Sequence, residues 1–92
     1  MSRVLFGKQA LAELERLIDG LVQQDKKLAF SVTDAIAEAV SELELAPLRG
    51  VPLPGGLRQL RIPHAGLTYL LLYRHLALED RVEILLLQPM AV

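Results

Sequence analysis

The chain has 92 residues, no cysteine, two histidines and a net charge of −1. So short a chain can bury only one core, so a single domain over residues 1–92 is expected. The absence of cysteine excludes a disulfide framework, a thiol nucleophile and a thiolate metal site, and His64 and His75 alone cannot complete a typical zinc site, so neither metal nor cofactor is expected. Hydrophobic residues make up 52% of the chain, above the ~45–50% of ordinary soluble domains. That excess implies either a well-filled core or apolar surface left over for a partner. No apolar run approaches the ~18 residues that cross a bilayer, and Glu13 and Glu15 interrupt any signal-peptide core. A cytoplasmic, non-membrane protein is therefore expected.

"RVLF" at 3–6 is a short extended segment with Val4 and Phe6 on one face, and Gly7 breaks it. From Lys8 to about Gln23, Leu11, Leu14, Leu17, Ile18 and Leu21 recur at helical spacing and wind into one stripe. Asp25 can cap a second helix whose buried stripe is Leu28, Val32, Ala35, Ile36, Ala39, Val40 and Leu43, with Lys27, Asp34, Glu38 and Glu42 on the wet side. Ser31 with Asp34 also fits a capping box, which would start this helix later. Two amphipathic helices joined so closely fold back as a hairpin.

Pro47 ends the second helix, and "PLRGVPLPGG" over 47–56 reads as a loop. The period then changes. Residues 57–62, 68–75 and 81–88 are apolar runs bounded by "PHAG" and "LALED", which predicts a three-stranded antiparallel meander. Arg58, Leu60 and Ile62 face one way and Leu57, Gln59 and Arg61 the other; Tyr69, Leu71 and Tyr73 oppose Leu70, Leu72 and Arg74. The expected fold is α+β: a short N-terminal strand, a helical hairpin, then the meander. Both faces of its middle strand are apolar, so one takes the helices and the other is open to a partner.

Charge is uneven. Residues 47–92 carry Arg49, Arg58, Arg61, Arg74 and Arg81 against Glu79, Asp80 and Glu83, and arginine suits bidentate contacts to phosphate or carboxylate. Such a charge is modest for nonspecific nucleic-acid binding. No phosphate-binding glycine loop, Gly-x-Ser-x-Gly elbow or His-Glu-x-x-His motif occurs. "GVPLPGG" has no lysine and reads as a plain loop, and His64 reads as an ordinary exposed turn residue. Each arginine among leucines can simply lay its stem on apolar surface and keep its head in water. As a group, Arg58, Arg61, Tyr73 and Arg74 are the functional candidates.

The order of elements, with Pro47 and Gly50 in the loop, "GGLRQLRIP", "TYLLLYR" with Tyr73 and Arg74, and "DRVEILLL", resembles the RelE/ParE superfamily of toxins from bacterial type II toxin-antitoxin pairs, over nearly the whole chain. The resemblance implies a cognate antitoxin that wraps the toxin's apolar surface in a hetero-oligomer. It places antitoxin contacts at Leu70, Leu72, Arg81, Leu85 and Leu87 and target contacts at Arg58, Arg61, Tyr73 and Arg74. RelE-like members cut messenger RNA on the ribosome, which demands dense positive charge around the phosphate. Here the arginine those members carry after the middle-strand aromatic is replaced by Leu70, no lysine follows Lys27, and "QPMAV" takes the place of a basic end segment. No catalytic residue is assigned on this reading. A ParE-like inhibitor of DNA gyrase, acting without catalysis, is the expectation. The alternatives are a RelE-like ribosome-dependent mRNA endoribonuclease, with Arg58, Arg61 and Arg74 as its catalytic set, and an inert antitoxin-binding module.

Overall fold

A computed structural model describes residues 1–90; Ala91 and Val92, on which the reading of "QPMAV" partly rests, lie outside the described residues. The elements run β1 (Arg3–Phe6), α1 (Lys8–Gln24), α2 (Lys26–Leu45), β2 (Val51–Leu53), β3 (Leu57–His64), β4 (Leu67–Leu76) and β5 (Arg81–Pro89), with single 3₁₀ turns at Pro54–Gly56 and Ala77–Glu79. The α+β order expected from sequence is present. Asp25 starts α2: its Oδ1 accepts the Lys27 N–H at 3.0 Å and the Leu28 N–H at 3.3 Å. Ser31 therefore lies inside the helix rather than at its start.

The sheet has five strands in the order β1-β5-β4-β3-β2, and β1 lies parallel to β5. The meander is its centre. β2 is a strand within the stretch expected to be a loop, pairing Val51 with Gln59 and Leu53 with Leu57. The β3–β4 turn is only Ala65 and Gly66, at φ 52° and 81°, which is the positive-φ pair of a tight two-residue hairpin. Pro63 and His64 consequently belong to β3 rather than to the turn.

Both helices lie on one face of the sheet. Their buried side chains, Ala10, Leu21, Ala29, Val32, Ile36, Ala39 and Leu43, meet Ile62, Tyr69, Leu71, Tyr73, Val82, Ile84 and Leu87 from the strands. Alanines at three of the helical positions let the helices come close to the sheet. On β5 the alternation slips. Leu72 pairs with Leu86 but Tyr73 with Ile84, so Leu85 is an extra residue in a β-bulge. Val82 and Ile84 point into the core before the bulge, and Leu87 does so after it, with 1% of its surface exposed.

Leu85 and Leu87 therefore do not share a face, and the expectation that both anchor an antitoxin is corrected for Leu87, a core residue. Truncating a buried leucine costs its transfer free energy plus a cavity, ~2–5 kcal/mol. Leu87→Ala is expected to lose stability in that range in urea unfolding, whereas Leu86→Ala, half-buried on the other face, loses under about half as much.

Candidate partner interface

The four residues singled out as target contacts divide between the two faces. Tyr73 is fully buried on the helix side. Its hydroxyl accepts the Gly50 N–H at 2.8 Å and donates to the Pro47 carbonyl at 2.8 Å. Arg58 stands opposite Tyr73 and donates from Nη1 to the carbonyls of Leu48, at 3.1 Å, and Gly50, at 2.8 Å. Together they hold the link from α2 to β2 against the sheet. Gly50 must be glycine for steric reasons: a Cβ there would lie 2.7 Å from Tyr73 Cε1 and Oη and 3.0 Å from the Gln59 carbonyl. Tyr73 as a direct target contact is thus corrected, because its ring and its hydroxyl are both used inside the fold.

Arg61 and Arg74 lie on the opposite, helix-free face. The strand register lays out three rows there. One runs Leu57, Arg74, Glu83, Leu5; the next Val51, Gln59, Leu72, Leu86; the third Arg61, Leu70, Gln88. The leucines of β3, β4 and β5 in these rows are only half-buried, and Val51 and Leu5 are exposed. Arg74 Nε and Nη2 both reach Glu83 Oε1, at 3.1 and 2.9 Å, an exposed pair of the kind worth ~0–1 kcal/mol that a partner can rearrange at little cost. Arg61 makes no ion pair among the described residues. Arg81, paired to Glu79 at 2.7 Å, lies at the start of β5 with its Nε buried and lacking an acceptor among the described residues. Leu70, Leu72 and Leu85 are therefore presented as a surface, with Arg61, Arg74 and Arg81 as cations along it.

A cavity of ≈ 330 Å³ opens between α2 and β3, lined by residues including Glu38, Glu42, Arg49, Arg61 and His64. Glu42 ties to Arg49 at 2.9 Å. His64 Nε2 hydrogen-bonds Ser31 Oγ, so this histidine fastens the β3–β4 hairpin to α2 instead of sitting free in a turn. Sequence reasoning passed over Glu13, whose carboxylate accepts the Leu87 N–H at 3.1 Å and Gln88 Nε2 at 2.8 Å. Nothing local marks it among the glutamates of α1, since its partners are more than seventy positions away. No group of His, Asp or Glu side chains among the described residues is placed to hold a metal, and no helix of the described residues is long and apolar enough to cross a membrane.

One comparison decides the family. The family model described as "ParE toxin of type II toxin-antitoxin system, parDE" matches residues 4–90. The chain belongs to the ParE toxin family. Among solved structures it is similar to a chain of the chromosomal ParDE toxin-antitoxin system from P. aeruginosa, with a TM-score of 0.75 and 20% identity over 99% of this chain and 98% of that one. At that identity the likeness shows a shared ParE fold. No curated protein matches.

Burial pushes the Tyr73 phenol above the ordinary tyrosine range, with the Gly50 N–H and the Arg58 guanidinium pulling part of the way back. A raised phenol pKa in the folded state means the neutral form is the one the fold favours. The associated stability is complete below the unfolded value near 10 and is lost as pH climbs from there through the folded value. Urea unfolding of the wild type should therefore show a decline in stability above about pH 10 that is weaker in Tyr73→Phe. At neutral pH the same variant should be less stable by ~1–3 kcal/mol, having stranded the Gly50 N–H and the Pro47 carbonyl.

Proposed function

We propose that this ParE-family toxin acts by binding DNA gyrase, without catalysing a reaction of its own, and that a cognate antitoxin neutralises it by covering the helix-free face of the sheet. The observation that carries this reading is how the polar side chains are used. Of the arginine and tyrosine group, Arg58 and Tyr73 hold the loop at 47–50, and Arg74 is paired with Glu83. Messenger RNA cleavage requires groups converging on one phosphate, with positive charge free to meet the developing phosphorane. An arrangement that spreads its arginines over two faces serves recognition of a large surface better than phosphate chemistry. For the target, Arg61 and Arg74 on the open face are the contacts retained from the sequence reading. Arg58 acts indirectly, by fixing the loop beside them.

The antitoxin surface follows from the same face. Leu70, Leu72 and Leu85, with Leu57 and Leu86 around them, form an apolar strip crossed by arginines. A segment with leucine-sized apolar anchors and carboxylates spaced to reach Arg61, Arg74 and Arg81 matches both features. Burial supplies most of the affinity in such contacts, and the charges supply register and approach rate.

Purified toxin is expected to cause gyrase-dependent accumulation of cleaved DNA in a supercoiling assay, and Arg61→Glu with Arg74→Glu should reduce that effect at least tenfold. Unchanged supercoiling at saturating toxin would exclude gyrase as the target, and cleavage of ribosome-bound messenger RNA by the same preparation would favour the nuclease alternative. In calorimetric titration with the antitoxin, Leu72→Ala should weaken binding by ~2 kcal/mol or more with little change in the toxin's own unfolding. Equal affinity for wild type and Leu72→Ala would remove the open face from the antitoxin contact.

A further inference from the structure

The helical hairpin carries a second apolar surface, on the side turned away from the sheet. Ile18 and Val22 of α1 and Lys26, Ala29, Phe30 and Thr33 of α2 line a groove of ≈ 470 Å³. Phe30 stands on its wall with 73% of its surface exposed, and Val22 with 42%. An exposed phenylalanine beside an apolar groove needs explaining, because the core of this protein is complete without it. Of these residues only Ala29, at the floor of the groove, also belongs to the core against the sheet among the described residues.

The charges around Phe30 indicate what covers it. Lys26, Phe30 and Asp34 are four residues apart on α2, so they form one row along the helix surface, ~6 Å between neighbours. All three are exposed. Neither Lys26 nor Asp34 makes an ion pair among the described residues. The row reads cation, aromatic, anion, with the aromatic at its centre. When such a row meets a second copy of itself across a two-fold axis passing beside Phe30, antiparallel packing sets each Lys26 opposite the other copy's Asp34. The two Phe30 rings then meet beside the axis, and from the wall of its own groove each reaches past the other into the facing groove. A two-fold interface requires this kind of self-complementarity, in which residue i meets j and j meets i. A row with opposite charges on the two sides of its apolar centre is complementary to its own antiparallel copy.

We propose that this face is a homodimer interface, in which Phe30 of each copy seats in the Ile18–Val22–Ala29–Thr33 groove of the other and two Lys26–Asp34 pairs close the rim. The ridge of residues four apart on one helix enters the groove of the facing hairpin, as helices commonly pack. The small side chains Ala29 and Thr33 leave the space into which an aromatic ring fits. The interface lies on the opposite side of the molecule from the helix-free sheet face, so dimerisation leaves that face open. The inference depends on neither the gyrase target nor the antitoxin contact.

Sedimentation equilibrium of the purified full chain tests it. The wild type should show a concentration-dependent monomer–dimer equilibrium, and Phe30→Ala should raise the dissociation constant about 30-fold, as loss of a central aromatic anchor does. Lys26→Asp and Asp34→Lys should each weaken the dimer several-fold by setting like charges opposite one another, and the double variant should recover most of the wild-type affinity. These positions are exposed, so unchanged thermal unfolding of each variant shows that the readout is association rather than folding. A wild-type chain that remains monomeric overturns the proposal. So does a dimer indifferent to Phe30→Ala, which places the contact elsewhere, or a double variant no tighter than the single ones, which removes the antiparallel register. A monomer whose antitoxin binding is weakened by Phe30→Ala would assign the groove to the antitoxin and likewise overturn it.

Discussion

Two helices cannot cover both sides of a five-stranded sheet, and most of what distinguishes this chain follows from that limit. Every strand residue must belong either to the helix-facing core or to the open side, and the two sets have different tasks. On the helix side the core includes small buried alanines at positions 10, 29 and 39, and a buried hydroxyl such as that of Tyr73 must find both a donor and an acceptor. On the open side leucines remain half-covered, and arginines interrupt them. The hydrophobic excess in the composition is therefore not an overfilled core. It is the second face of a sheet that has only one layer of helices.

A sheet with an apolar face is exposed to uncontrolled pairing along its edges, since unpaired N–H and C=O groups recruit strands from other molecules. The prolines of the strands are placed against that hazard. Pro52 of edge strand β2 lies opposite Arg58, and having no N–H it offers none with which a further strand could pair. Pro89 of β5 follows the same logic: Met90 N–H goes to the Thr68 carbonyl of β4 at 2.8 Å, so the preceding residue's nitrogen points away from β4, where a donor would otherwise be free. Between them, the Leu87 N–H on that same free stretch of β5 is occupied by Glu13. With β5 closed off in this way, contacts made through side chains on a face are favoured over strand addition at this edge, which suits recognition of particular partners better than it suits indiscriminate pairing.

Much of this architecture is legible in the sequence because the signals are local. The helical stripes, the Asp25 cap and the three central strands all depend on residues within a few positions of one another. The parts that are not legible depend on distant partners or on a local rule being overridden. β1 pairs with β5 across the whole chain, and no short-range pattern encodes a parallel neighbour. β2 hides behind Pro52 and a following pair of glycines, which read as loop by composition even though Val51 and Leu53 pair with β3. The bulge at Leu85 is the most consequential omission, because one extra residue reverses the face of everything after it. Strict alternation through "VEILLLQ" groups Leu85 with Leu87, whereas the bulge sends Leu87 inward and leaves Leu85 beside Leu86.

The same reasoning separates structural from functional polarity at the candidate site. Tyrosine and arginine among leucines draw notice because each carries polar atoms that must be satisfied, but satisfaction can come from within the fold. For Tyr73 and Arg58 it does, and their partners are backbone groups of Pro47, Leu48 and Gly50 that no helix or strand accommodates. A loop that leaves a helix and turns at once into an edge strand has carbonyls and amides with nowhere else to bond, so side chains from the sheet supply the partners. Arg61 and Arg74 have no such internal debt to the loop. Among the described residues Arg61 makes no ion pair and Arg74 pairs with the half-buried Glu83 through a largely exposed guanidinium, so these guanidinium groups can be redirected without unfolding anything. In a toxin of this family, recognition is more economically built on cations of that kind than on those already committed to holding the chain in shape.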